Sequence, residues 1–171
     1  MISNLLQEMV QYYSGDPRRI QHFIKVHSFA KLIGEKEELD STTLKTLEIA
    51  AIVHDIGIKV AEEKYGRCDG KLQEQEGPAI AKTLLTRLNI DESTIERVCY
   101  LVGHHHTYTN VNGIDYQILL EADFLVNLYE DTLDAHAITS AYQKIFKTDT
   151  GKEICKTMFN IVLEHHSQAC I

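Results

Sequence analysis

The sequence predicts an all-α protein, and three observations carry that prediction. Apolar residues recur at three-to-four spacing in several segments, helix-start signals such as Asp16-Pro17 precede them, and no alternating β-branched run is bounded by hairpin turns. The 171 residues, 44% hydrophobic and 25% charged, suffice for one domain to bury a substantial core without disulfide or structural-metal staples. No internal repeat, low-complexity tract or linker divides them.

Ser3 is expected to cap a first helix that runs to about Tyr13 and is ended by Gly15. Asp16 as N-cap and Pro17 at the first helical position start the second, on which Ile20, Phe23, Ile24, His27 and Ala30 form an inward stripe. On that register His22, about 140° around the helix from His27, points elsewhere. The third helix begins near Ser41 and carries Leu44, Leu47, Ala51 and His54 on one face, within a run IAAIVHD that reads as the centre of the bundle. Gly57 terminates it, so that His54 and Asp55, about 100° apart in a regular helix, can straddle one ion at its end.

Residues 58 to 77 read as an irregular, polar, lid-like loop with a short helical turn at Val60 to Tyr65. Pro78 opens the next helix, through Leu88, and Asp91 caps another to about Val102. After His104, His105 and His106 comes a polar loop with Asn110, Asn112 and Gly113. The helix that follows places Tyr116, Leu119, Leu120, Asp123 and Val126 on one stripe. Two further helices, about 132 to 147 and 151 to 166, complete the chain, and their apolar faces can either close the bundle or support a homodimer.

The formal net charge of −8, with no basic block, argues against a nucleic-acid polymer as partner. No stretch reaches the roughly 18 apolar residues of a spanning helix, and MISNLLQEMV lacks the basic-then-apolar pattern of a signal peptide, so no membrane partner and a cytoplasmic location are expected. Cys68, Cys99, Cys155 and Cys170 are scattered, without a Cys-x-x-Cys pair, and read as packing residues in a reducing compartment.

Four side chains in these apolar settings carry the chemistry: His27, His54, Asp55 and Asp123. Buried carboxylates need a counter-charge, and two carboxylates with two imidazoles are satisfied together by a divalent metal. Mixed nitrogen and oxygen donors suit Mn, Fe, Co, Ni or Zn. The structural alternative is a set of buried ion pairs.

The order His27, His54-Asp55, Asp123, in the contexts IQHFIKVHSFAKLIG, AAIVHDIGIK, VCYLVGHHH and ILLEADFLVNL, resembles the HD superfamily of metal-dependent phosphohydrolases over roughly residues 17 to 130. The resemblance implies a single HD-type helical domain over 1–171, closed by the C-terminal helices. It implies a first metal on His27, His54, Asp55 and Asp123, and hydrolysis of a phosphate ester of a nucleotide or other small phosphorylated metabolite by a metal-activated water, with Asp55 also acting as base. Dinuclear relatives hold a second metal with histidines at the end of the 91–102 helix and one before a glycine. This implies His104 and His105, with Glu76 standing before Gly77 where those relatives often have histidine. The other reading of Glu76 is a favourable charge at the start of the Pro78 helix.

His104 or His105 could instead contact the substrate phosphate or protonate the leaving oxygen, whereas His106 reads as a solvated loop residue. For phosphate recognition Lys59 is the first candidate, then Lys64, Arg67 and Lys71, each weighed against ordinary solvated surface. Lys59 lies one position beyond the lysine of branches reading His-Asp-x-Gly-Lys, and Arg18 and Arg19 are equally open. A Gly-Tyr-Pro signature of the cyclic-dinucleotide branch is absent after the triplet, so that substrate is not expected. His136, His165 and His166 lie outside the matched region and read as surface or tail. Two other functions stay open: a ligand-sensing or regulatory module without turnover, and, with iron in both sites, a di-iron oxygenase.

Overall fold

Capping chemistry sets most of the helix boundaries in the computed structural model, which describes residues 1–162. Helix α1 (Ile2–Tyr12) starts directly after Met1, without the side-chain cap expected of Ser3. Asp16 accepts a hydrogen bond from the Arg19 amide and starts α2 (Pro17–Lys36), with proline at the first position as expected. Asp40 caps α3 (Ser41–Val53) and Asp91 caps α6 (Glu92–Val102) in the same way. Helix α7 (Ile114–Glu130) follows Gly113, and the short α8 (Ala135–Lys144) and α9 (Asp149–Met158) are capped by Asp134 and Thr148. Helix α9 stops at Met158, short of the predicted 166, while His165, His166 and Cys170 lie outside the described residues. No strand is present among the described residues, and no described helix is long and apolar enough to cross a membrane.

The segment expected to be irregular apart from a helical turn at Val60 to Tyr65, which is observed, is helical over most of its length. It forms α4 (Ile58–Tyr65), ended by Gly66 at φ 68°, and α5 (Gly70–Arg87), started by Asp69. Pro78 therefore sits inside a helix rather than opening one. The physical reason is visible in the inward face: the first buried residues of α5 are Gln73, Gly77 and Ala81, at four-residue spacing. Two of the three are not apolar side chains, so the periodicity is present but hydropathy does not display it.

Helix α3 is central, packed against α1, α2, α6 and α7, and everything from Ile49 to Val53 is buried. The last turn of α3 gives way to a tight turn at His54–Gly57, which α1 and α5 hold from two sides. Tyr13 and Tyr12 donate their hydroxyls to the carbonyls of Asp55 (2.6 Å) and Ile56 (3.0 Å). Opposite, a Cβ on Gly57 would stand 2.6 Å from the Gln73 carbonyl oxygen, so this turn and α5 touch backbone to backbone. The predicted stripe of α7 is observed, with Tyr116, Leu119, Leu120, Asp123 and Val126 all buried.

The connection between α8 and α9 is tied to α7 through one carboxylate. Fully buried Glu121 accepts from Gln117 Nε2 (2.7 Å) and from the amides of Lys147 (2.6 Å) and Thr148 (2.9 Å), as well as from the Thr148 hydroxyl. Leucine at this position strands those donors. Glu121→Leu is expected to lose roughly 2–3 kcal/mol of stability, since each buried unmade hydrogen bond costs about 1–3 kcal/mol. Thermal unfolding would register a fall on the order of 5–10 °C. An unchanged midpoint would show that the network does not hold this connection.

Candidate metal centre

The centre is assembled at the end of α3 from side chains delivered by four helices and the turn. His54, fully buried at the α3 C-cap, donates Nδ1–H to the Ala51 carbonyl (2.9 Å), which leaves Nε2 facing inward. His22 on α2 brings its Nε2 to 3.2 Å from His54 Nε2, 3.4 Å from Asp55 Oδ2 and 3.1 Å from Asp123 Oδ1. His54 Nε2 in turn lies 3.5 Å from both Asp55 Oδ2 and Asp123 Oδ1. His105, just beyond α6, donates Nδ1–H to the Val102 carbonyl (2.8 Å) and points Nε2 at Asp55 Oδ1 (3.4 Å).

The donor atoms form two groups. Those of His22, His54 and Asp123 lie within 4.8 Å of one another, as do those of Asp55, His105 and His106. His105 Nε2 and Asp123 Oδ1 are buried with no well-directed hydrogen bond. Orphaned buried acceptors are rare, and a pair of them inside a ring of imidazoles and carboxylates fits a cation. Burial alone would raise the pKa of Asp55 and Asp123. Instead His54, His105 and His22 around Asp55, and His22 and His54 beside Asp123, hold both carboxyls well below the usual range. Burial likewise opposes charge on His22, yet Asp123, Asp55 and Glu130 outweigh it and push the imidazole up to about 9. The two carboxylates thus draw positive charge into the pocket, as a proton on His22 or as a metal cation.

Several sequence-based assignments are corrected here. His22, not His27, joins the centre: Val26, Ala30 and Ile33 form the buried face of α2, and stepping back four residues from Val26 reaches His22. The stripe drawn through Ile24 was misphased, for Ile24 is 41% exposed, and His27 Nε2 instead meets Glu48 of α3 at 3.0 Å. His104 stands outside both donor groups. Its Nδ1–H is donated to the Tyr100 carbonyl (2.7 Å) and its ring stacks on Tyr100. Glu76 is also outside, paired with Lys64 (2.5 Å) and Tyr65 (2.9 Å), because α5 begins early and sets that position against α4. Lys59 lies on the far side of the turn, 3.3 Å from the Tyr12 carbonyl.

His106 is not a solvated loop residue. Its Nε2–H donates to Gln73 Oε1 (3.1 Å), while Gln73 Nε2 donates to the Cys68 carbonyl (2.7 Å), and burial with His105 nearby lowers its pKa to about 4. Gly70 makes room for that ring, since a Cβ there would come within 2.6 Å of it. Lys64, Arg67 and Lys71 are exposed, and His136 lies on the exposed side of α8.

A cleft of about 590 Å³ opens over His22, Asp55 and Asp123, with Arg18, Arg19 and Asn127 among its walls. Arg18 reaches Asp131 (3.1 Å), and Arg19 reaches Asp16 (3.1 Å) and Glu62 (2.6 Å). A separate groove of about 640 Å³ between α1 and α5, lined by Tyr12, Ile80 and Leu84, contains none of the donors.

Comparison with known proteins agrees with this arrangement. The family model of the HD domain matches residues 19–128. The crystal structure of a predicted HD superfamily hydrolase from an uncultured Thermotogales bacterium is similar at 28% identity and a TM-score of 0.64, over 93% of this chain and 83% of that one. No curated protein matches. An ordered His, His-Asp and Asp set converging at the end of a central helix is thus accompanied by a family match across most of the chain, which belongs to the HD domain family.

Proposed function

We propose that this chain is a metal-dependent phosphohydrolase acting on a phosphate ester of a nucleotide or another small phosphorylated metabolite. The observation that carries the reading is the convergence of His22 and His54 Nε2 with the carboxylates of Asp55 and Asp123, with one Asp123 oxygen left unsatisfied in the buried floor of an open cleft. His22, His54, Asp55 and Asp123 would hold the first metal. Asp55, His105 and His106 would hold a second, in place of the His104, His105 and Glu76 set. Such an ion supplies Lewis acidity that makes water a nucleophile at neutral pH and neutralises phosphate charge.

The protein's own contribution is positioning. Hydrogen bonds at Nδ1 of His54 and His105 leave their Nε2 lone pairs for coordination. Asp55 faces both donor groups and is the group placed to take a proton from the attacking water. Arg18 and Arg19 stand where Lys59 was expected to act. Arg18 is the freer of the two, its side chain 74% exposed, and a guanidinium suits two phosphate oxygens at once. The other cleft walls, Tyr108, Phe124 and Leu133, offer apolar contact to the organic part of a small ester.

The test combines elemental analysis of protein purified without chelator with phosphate release from a panel of phosphomonoesters and nucleotides. One or two ions per chain and phosphate release that stops with EDTA are expected. Absence of metal after supplementation with Mn²⁺, Fe²⁺ or Zn²⁺ overturns the reading. The second donor group also keeps the oxygenase alternative in view. Two irons with oxygen consumption and no phosphate release would replace hydrolysis with it, whereas nucleotide binding without turnover would favour a regulatory module.

A further inference from the structure

We infer that Glu130 is a positioning residue for the metal centre, fixing His22 so that its Nε2 serves as a ligand. The inference rests on the proposed metal site and concerns a residue two turns away from Asp123 on the same helix. Asp123, Asn127 and Glu130 follow at positions i, i+4 and i+7 of α7, and all three line the cleft. The His22 ring is held between the two ends of this row. Its Nε2 is 3.1 Å from Asp123 Oδ1, and its Nδ1 is 3.0 Å from Glu130 Oε2.

A carboxylate can only accept, so the hydrogen of that bond resides on His22 Nδ1, and the lone pair available to a cation is on Nε2. The other two inward-facing histidines achieve the same result with main-chain acceptors, His54 through Ala51 and His105 through Val102. Both follow a helix end, where free carbonyls are available. His22 lies within α2, where the carbonyls are already engaged by the helix, and a side chain from α7 supplies the acceptor. Glu130 is itself fixed: its second oxygen receives Lys25 Nζ at 2.5 Å, and its side chain is only 11% exposed. An anionic acceptor also raises the basicity of the imidazole, which strengthens it as a ligand.

Zn²⁺ is the probe, titrated into metal-free full-length protein against a competing chelator, with Glu130→Leu, Glu130→Gln and the unaltered chain compared. Glu130→Leu is expected to bind Zn²⁺ about 10–100-fold more weakly, the usual effect of deleting an outer partner of a ligating histidine. Glu130→Gln, which keeps an acceptor oxygen of nearly the same shape, is expected to fall between the two. In Zn²⁺-loaded, ¹⁵N-histidine-labelled protein, the His22 Nδ1–H resonance is expected in the unaltered chain and lost or displaced in Glu130→Leu. A carboxylate serving Lys25 alone would lower thermal stability and leave Zn²⁺ affinity and that resonance unchanged, and this result overturns the inference while leaving the metal site intact. An unaltered chain that binds neither Zn²⁺ nor Mn²⁺ overturns the proposed function, and the role of Glu130 with it.

Discussion

His22→Ala is expected to strip the centre of its metal, while His27→Ala leaves it loaded. The two histidines are on the same helix, five residues apart, and the sequence alone favoured the one that faces Glu48 instead of Asp123. His22 Nε2 is within 3.4 Å of Asp55, Asp123 and His54, so on the proposed site its removal takes away a ligand, not an outer partner. The loss should therefore exceed the roughly 10–100-fold that follows deletion of a second-layer contact. His27 meets Glu48 on the neighbouring helix, where it contributes a hydrogen bond between α2 and α3. Its alanine variant should lose about 1–3 kcal/mol of stability, the cost of leaving a largely buried acceptor without its partner, and keep its affinity. Isothermal titration with Mn²⁺ or Zn²⁺, together with the rise in unfolding temperature on adding metal, reads both effects. Retention of metal by His22→Ala would remove His22 from the site. Metal loss in His27→Ala would mean that α2 sits in a different rotation from the one described.

Gly57→Ala is expected to damage both stability and metal affinity, although its backbone has ordinary helical angles of φ −72° and ψ −20°. The cost is entirely one of space. A Cβ there would lie 2.6 Å from the Gln73 carbonyl oxygen and 2.9 Å from the Gly77 nitrogen, both of them backbone atoms that no rotamer change can move. Gly77 is closed in from the other side, where a Cβ would meet Val102 at 2.6 Å. Overpacking of a core commonly costs about 1–3 kcal/mol, and a collision with main chain belongs at or beyond the upper end of that range. Relief by moving α5 would also shift Gln73 and the His106 ring that it anchors, and relief by moving the turn would shift Asp55. Gly66→Ala is the control. Gly66 has open space around it but a φ of 68°, so alanine there pays about 1–2 kcal/mol for the left-handed backbone and should leave metal affinity alone. Chemical denaturation and metal titration of both variants check this. A Gly57→Ala protein as stable as the parent would rule out the backbone contact.

The legible parts of this chain were those with redundant local signals. Asp16-Pro17, Ser41 and Asp91 marked helix starts that the structure reproduces, because a cap or a proline acts on its own few residues. The run IAAIVHD marked the central helix, since a helix buried all round must be apolar all round. Asp123 was found because its α7 stripe is unbroken by polar residues. Helix α5 was missed before Pro78 because its inner face begins with glutamine and glycine, chosen for contact with His106 and with the backbone of the 54–57 turn. Glu130 and Asn127 carried a signal, their i+7 and i+4 spacing from Asp123, but spacing alone does not say what stands opposite.

The sequence by itself determined the all-helical class, the HD-domain resemblance and three of the side chains that meet at the end of the central helix, His54, Asp55 and Asp123. Each of these follows from local pattern. Only the tertiary structure decided that His22 replaces His27, that His106 rather than His104 or Glu76 accompanies His105, and that Arg18 and Arg19 rather than Lys59 face the cleft. Those choices depend on the rotation of a helix about its axis and on which helix lies across from it. A residue's neighbours in the chain constrain that rotation only through hydropathy, and on α2 the polar His22 itself interrupts the apolar stripe that would have revealed it.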